Sequence, residues 1–337
     1  MFRIIAGILA IVALPVCAQR KTLDLYFVDV EGGQATLMVT PKGESLLVDA
    51  GWPGQNGRDA GRIMAAAEKA GVKQIDYLLV THYHMDHVGG VAELATRFPV
   101  KTLIVHGENT ETDKGAQNMN AIYEKAIATG AKQLVVKAGD KLPIKDVDIT
   151  VVAARGNCIT DPLKGAGAKN PLCEQQARKQ DDPTENARSV GIIVNYGKFR
   201  FVDLGDLTWN KELELACPVN RIGTVDLYLT THHGMDLSGP AAIVHALHPR
   251  VAIMNNGAKK GGSPDTFKTV AASPGLEDLW QLHFSIPAGK ELNGPEERIA
   301  NLDGPDAGNY ILVEASKDRS MKVTNSRTGA PKSYRPL

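Results

Sequence analysis

Six consecutive residues concentrate the chemistry of this chain: His82-Tyr83-His84-Met85-Asp86-His87. Four of them carry metal-ligating side chains. They follow Thr81 and the apolar run Ile75–Val80, which reads as a short buried strand. Gly89-Gly90 comes next, and Gly89–Phe98 reads as a helix. The cluster therefore lies where a strand turns into a helix. His82 and His84, two apart in an extended turn, point the same way and can grip one cation. Asp86 and His87 lie one step further and can grip a second. Imidazole and carboxylate donors suit zinc, with manganese or iron as alternatives. A solvated run of surface histidines does not account for four donors at this spacing directly after a strand.

The pattern His-x-His-x-Asp-His resembles the hallmark of the metallo-β-lactamase superfamily. Further positions match in order. Asp49, ending Leu46-Leu47-Val48, matches an acidic strand end that supports the metal histidines from behind. Asp206, after Phe201–Gly205, matches the carboxylate that bridges two metals. In Thr231-His232-His233-Gly234 one histidine matches the last ligand. His232 is favoured because it comes first after a strand, which leaves His233 to donate to the substrate oxyanion or leaving group. Asp86 would orient the attacking hydroxide as well as bind metal.

Within the superfamily the chain is similar to the hydrolase domain of ComEC-type competence proteins and their secreted relatives. Asp29-Val30-Glu31-Gly32-Gly33-Gln34-Ala35 is a variant of their opening motif, and Asn186-Ala187-Arg188-Ser189 of their Asn-x-x-Ser. The resemblance covers most of residues 22–256. Beyond Lys259 it fades, and a usual Gly-His-Pro appears as Gly262-Ser263-Pro264, so a substrate-side contact differs. Many superfamily members place another histidine between the first motif and the bridging aspartate. This chain has no histidine from Gly107 to Thr231, and the ComEC-type pattern lacks it too. The first metal site is then expected to hold only His82, His84 and Asp206, against Asp86, His87, His232 and Asp206 at the second. Asn186, Ser189 or an acid of the 174–185 loop is a candidate for a weak extra contact.

The resemblance implies a four-layer αββα sandwich, with two mixed β-sheets packed face to face and helices outside. The elements read from the chain agree. Strands are expected at Thr22–Val30, Gln34–Thr40, Ser45–Ala50, Thr102–Val105, Gln133–Val136, Val147–Val152, Val190–Tyr196, Phe199–Leu204, Val225–Thr230 and Val251–Met254. Helices are expected at Gly57–Ala70, Ala116–Thr129, Pro240–Leu247 and Leu276–Leu282, and a final hairpin at Tyr310–Val323. They fall into two mixed blocks, 22–150 and 190–325, within one domain over residues 19–337. The polar stretch Ala154–Ala187 is long for a connection and reads as a functional loop over the site. His106 is expected to cap a strand end or line the cleft. His245, His248 and His283 read as structural or surface residues.

Arg3 followed by the apolar run Ile4–Val16 and by Val16-Cys17-Ala18 has the grammar of a signal peptide cut after Ala18. The run is too short to span a bilayer, so no integral membrane segment is expected after cleavage and the protein is expected to be secreted or periplasmic. Three cysteines then remain. Cys158 and Cys173 could close a short loop in an oxidising compartment, although sequence does not fix connectivity. Lys and Arg number 38 against 38 Asp and Glu. That balance gives no basic field for nucleic acid, although a local groove remains open.

Two cations bridged by Asp206 would bring a shared water toward ionisation near neutral pH, and the hydroxide would attack a carbonyl or phosphorus centre. The expected function is an exported dinuclear zinc hydrolase. A phosphodiester is its first substrate class, by resemblance, with small molecules or nucleic acid as the form it takes. The alternatives are an amide or lactone hydrolase, an iron protein of oxygen chemistry, and an exported binding domain with a vestigial site. The oligomeric state is not legible.

Overall fold

The computed structural model describes residues 21–304 and 306–336. The expected signal peptide lies outside the described residues. Among them, no helix is long and apolar enough to cross a membrane.

The first sheet is built from β1 (Leu23–Phe27), β2 (Thr36–Val39), β3 (Ser45–Val48), β4 (Ile75–Leu79), β5 (Val100–Val105) and β6 (Lys132–Val135). β1 to β3 pair antiparallel, whereas β3 to β6 pair parallel. Parallel pairing needs crossovers, and helices supply them. They are α1 (Arg58–Lys69), the short α2 (Met85–Val88) with α3 (Val91–Arg97), and α4 (Lys114–Ile127). The apolar face of α1, with Ile63, Ala66 and Ala67, packs on this sheet.

The second sheet contains β7 (Asp148–Ala154), β8 (Asn157–Cys158), β9 (Gly191–Tyr196), β10 (Phe199–Asp203), β11 (Leu227–Leu229), β12 (Val251–Met254), β13 (Asp278–His283) and β14 (Ile299–Asn301). From β10 to β14 the pairing is parallel. α5 (Trp209–Ala216), α6 (Ala241–Leu247) and α7 (Pro264–Ala271) make its crossovers, and α8 (Gly289–Leu292) follows β13. Leu213, Leu215, Ile243, Val244 and Leu247 lie buried on the outer helices. The chain then returns to the first sheet. β15 (Ile311–Ala315) pairs antiparallel with β1, and β16 (Met321–Asn325) and β17 (Pro331–Tyr334) extend that edge.

Between the sheets lies one apolar layer, with Phe27, Leu46 and Val313 from the first and Phe199, Phe201 and Trp280 from the second. Phe27 and Phe201 meet edge to face, 5.9 Å between centroids. The architecture is the expected four-layer αββα sandwich. Both sheets draw on both sequence blocks: β7 belongs to the second sheet and the C-terminal hairpin to the first. Two expectations are corrected. Leu276–Leu282 is not a helix: Asp278–His283 is β13, since its apolar residues pair beside β12 at the sheet interior. The bridge joins Cys173 to Cys217, not to Cys158. Cys158 is held in the β7–β8 hairpin and hydrogen-bonds the Lys211 carbonyl, whereas Cys217 caps the end of α5 with its Cα 5.7 Å from that of Cys173.

Candidate metal centre

In open parallel sheets, ligands gather outside the carboxyl ends of the strands. Here Asp49 follows β3, the His82–His87 loop follows β4, Asp206 follows β10, and His232 and His233 follow β11. Four parallel strands from two sheets thus deliver their loops to one place.

Four side chains meet there: Asp86, His87, Asp206 and His233, all buried, with ligand atoms within 4.8 Å of one another. His233 Nε2 lies 3.1 Å from Asp86 Oδ2 and 3.3 Å from Asp206 Oδ1. His87 Nε2 lies 3.3 Å from Asp86 Oδ2, 3.2 Å from Asp206 Oδ2 and 3.2 Å from His233 Nε2. Four ligands at ~2.0 Å from a central ion stand about 3.3 Å apart at the corners of a tetrahedron. The observed separations fit that cage, and so does the donor set.

Beside it stand His82 and His84, with ring centroids 4.6 Å apart, and His82 is 4.1 Å from His87. His82 Nε2 is buried and has no hydrogen-bond partner, which an unliganded core histidine would not afford. His84 Nε2 lies 3.2 Å from Glu111 Oε1.

Carboxylates fix the rings from behind. Asp49 Oδ2 accepts from His87 Nδ1 at 2.7 Å, and its two oxygens take the Thr81 amide (2.8 Å) and hydroxyl (2.7 Å). That bond puts the proton of His87 on Nδ1 and turns Nε2 toward the cage. Asp49 itself adopts φ 59°, so the buried acid is held in a backbone region few residues occupy. On the other flank, Glu185 Oε2 takes His106 Nε2 at 2.9 Å and Oε1 takes the Thr110 amide and hydroxyl. Burial alone would raise the Glu185 carboxyl. The His106 and Thr110 bonds outweigh it and hold the group at about 2. Asp203, buried behind the site, is pushed up to about 6 by burial, although the Gly205 amide and Gln34 Nε2 (2.8 Å) donate to it.

Burial disfavours charge throughout the cage, yet the groups offset it mutually. The surrounding histidines hold Asp86 and Asp206 well below the ordinary carboxylate range. Asp206, Asp86 and Asp49 push His87 well above its ordinary value. His82, deeply buried and next to His87, is held well below its own.

Of the His232–His233 pair, the four-residue group contains His233. His232 and His233 have φ 57° and 56°. Two successive left-handed residues turn the chain sharply, so the second imidazole enters the cage. His232 instead hydrogen-bonds Ser238 Oγ through Nδ1 (3.2 Å) and brings Nε2 to 3.4 Å from Asp206 Oδ2.

The opening motif serves the site without entering it. A Cβ on Gly33 would clash with the Asp86 carbonyl, and Gln34 N–H donates to that same carbonyl at 3.1 Å. Asp29 is taken by Arg62, the Glu31 amide and His283. Of the loop read as covering the site, only the end reaches it. The Val190 amide bonds the Thr81 carbonyl (2.8 Å), which places Asn186 and Ser189 nearby, both with unpartnered buried oxygens. Earlier parts of the loop are tied by Cys173–Cys217 against α5. His106 is buried, and His245 bonds the Thr269 carbonyl, so both are structural. Sequence reasoning missed Glu111, Trp52 and Lys260, and named Glu185 only as one of the acids of the 174–185 loop. None lies in a recognisable spacing, and Lys260 pairs with Asp86 across 174 positions.

Fold and donor set together are those of a metal-dependent hydrolase. Residues 28–159, under half of the chain, match the family model described as "Metallo-beta-lactamase superfamily". It is 28% identical over 266 residues to a "UPF0173 metal-dependent hydrolase" of Anaeromyxobacter sp. (strain K), covering 78% of this chain and 81% of that protein. It is 25% identical over 187 residues to "ComE operon protein 3" of Bacillus subtilis (strain 168), 56% of this chain but only 20% of that protein's length. Among solved structures it is similar to the metallo-β-lactamase fold protein YhfI of Bacillus subtilis, with TM-score 0.46 and 13% identity over 78% of this chain and 96% of the other.

Proposed function

We propose that the protein is an exported hydrolase that uses two divalent cations, zinc first among them, to cleave phosphodiesters. The observation that carries the reading is the convergence of Asp86, His87, Asp206 and His233 within 4.8 Å, beside the unpartnered His82 Nε2. Bound cations would supply Lewis acidity and ionise water near neutral pH.

The protein's own groups do the rest. Asp206 belongs to the four-residue cage and its charge also acts on His82, so its carboxylate would serve both sides. Asp49 and Glu111 orient the histidines on the two sides. His232 lies at the edge of the cage, its Nδ1 held by Ser238. Because the Ser238 hydroxyl donates to the Leu207 carbonyl, His232 donates through Nδ1–H and its Nε2 would offer a lone pair beside Asp206.

Similarity to competence-type proteins supports the phosphodiester class. The absence of net charge favours small or cell-envelope diesters over long nucleic acid, which needs a basic track. Export is supported by the Arg3-led apolar segment and by the Cys173–Cys217 bridge, a bond that persists in oxidising compartments.

A screen of the mature protein on phosphodiester, phosphomonoester, lactone and β-lactam reporters, with bulk metal analysis, tests the reading. Two zinc per chain and phosphodiester turnover are expected. One iron, or none, or turnover confined to lactones, would contradict it. Intact mass of the exported form should begin at Gln19, and a full-length chain would refute export by cleavage.

A further inference from the structure

Lys260 reaches the cage by a route that no local motif announces. After β12 the chain makes a tight turn in which the Gly257 amide donates to the Lys260 carbonyl at 2.9 Å. Two other loops wedge this turn. A Cβ on Gly32 would stand 2.9 Å from Gly257 N and 3.1 Å from Lys260 Cβ, and one on Gly261 (φ 74°) would strike the His233 carbonyl. The Gly262 amide donates to that carbonyl at 3.0 Å, and the Ser263 amide to Gly234 at 2.8 Å. Backbone contacts on both sides therefore fix where Lys260 begins. Its ammonium pairs with Asp86 Oδ2 and stands 5.1 Å from the centroid of the Trp52 ring.

Asp86 Oδ2 is the oxygen that faces His87 and His233. A cation resting on it competes with a metal for the same lone pairs and repels a dication besides. Such a group opposes the site's own loading unless another anion takes it over once Asp86 is engaged. Asp86 is the one carboxylate it pairs with among the described residues, so that anion must come from outside the chain. The lysine side chain is 31% exposed, which gives a ligand access to it.

A second observation bears on what the anion carries with it. Of the large apolar side chains exposed among the described residues, three stand on loops that build this site: Met85, Leu237 and Ile286. Met85 adjoins Asp86. Leu237 precedes Ser238, the partner of His232. The Ile286 amide donates to Ala258 in the lysine's own turn. With Trp52, they put apolar surface on the loops that flank this lysine and its Asp86 partner.

We propose that Lys260 and Trp52 form the substrate subsite of this centre, in which the ammonium leaves Asp86 to hold an anionic oxygen and the indole carries an adjoining apolar group. This rests on the hydrolase reading above and narrows it to phosphodiesters with an aromatic or acyl substituent. Lys260 is thus a specificity-determining residue, and a competitor of the metal in the unloaded protein.

Four variants and four ligands test it. In the metal-loaded protein, Lys260→Met should weaken binding of inorganic phosphate, measured by calorimetry, about 10–100-fold, the worth of one charge-assisted hydrogen bond. Lys260→Arg should keep it within a few-fold. In the metal-free protein, Lys260→Met should bind zinc as tightly as wild type or more tightly. With bis(p-nitrophenyl) phosphate the Lys260→Met loss should fall on KM, while KM for an uncharged p-nitrophenyl ester stays the same. Trp52→Ala and Trp52→Phe should differ on the aromatic diester and not on inorganic phosphate. Unchanged phosphate affinity in Lys260→Met, an equal loss on the uncharged ester, or weakened zinc binding would each overturn the proposal. If the wild type turns over no phosphodiester, the proposed function fails, and phosphate binding still decides the role of Lys260.

Discussion

The two sides of the metal centre are built from the same loop yet differ in kind. The side of Asp86, His87 and His233 has two imidazoles and one carboxylate of its own, closes on Asp206, and is buried. The side of His82 and His84 has two imidazoles and, on the two-cation reading proposed above, would share Asp206. Their supports differ in the same direction. Asp49 behind His87 is fully buried, holds three hydrogen bonds and cannot move. Glu111 beside His84 is about a quarter exposed, and its oxygen also takes the Glu185 amide. Anionic ligands and fixed rings both raise affinity. On the two-cation reading proposed above, the comparison predicts one tight and one loose site from a shared motif. The difference arises from what the rest of the chain places behind each histidine.

The largest effect expected is at the carboxylate common to both sides. Asp206→Ala should lower hydrolysis about 1000-fold or more, since both cations lose a ligand and the several kcal/mol of charge stabilisation they supply. Circular dichroism should remain that of the wild type. If turnover is retained, Asp206 is not the link between the sides.

Asp49→Ala sharpens the contrast on the tight side. Metal affinity there should fall about 10–100-fold, read by competition with a chromogenic chelator. An unchanged affinity would leave Asp49 as a turn residue alone.

Glu185 ties the Tyr83 amide to the 106–111 loop, and its effect is on stability. The folded carboxyl sits at about 2 against an ordinary 4.5. Its contribution is therefore complete above 4.5 and is lost as pH falls from there toward 2. Glu185→Gln should cost about 2 kcal/mol at pH 7 in denaturant unfolding, and the gap should close over that acid window. A gap that is constant with pH would show that the charge is not what counts.

The smallest effect is predicted for the loose side's support. Glu111→Gln keeps an acceptor for His84 but removes its charge. Affinity at the loose site should fall only a few-fold, roughly a tenth of the Asp49 effect, and equal losses in the two variants would erase the difference in support.

What the sequence shows of this site follows from distance along the chain. His82, His84, Asp86 and His87 are legible because one strand end and one turn place them, so their spacing is their geometry. Asp49 and Asp206 are legible because each ends a recognisable strand. The choice between His232 and His233 is not, since it depends on two left-handed residues that the histidine types do not announce. Glu111, Glu185 and Lys260 are common residue types in polar loops, and only the packing of distant loops gives them partners. The same holds for Cys173, whose partner is 44 positions away at a helix end. The layers were legible through strand and helix periodicity. Leu276–Leu282 was misread because a short apolar run beside a sheet suits either structure.

Metal content during graded chelation, followed with activity, tests the asymmetry most directly. The wild type should lose one equivalent first, with activity falling alongside it, and hold the second to higher chelator. His84→Ala should abolish the early loss and leave the tight equivalent. His87→Ala should remove the tight one. Loss of both metals together from the wild type would contradict the account, and so would disappearance of the early-leaving metal in His87→Ala.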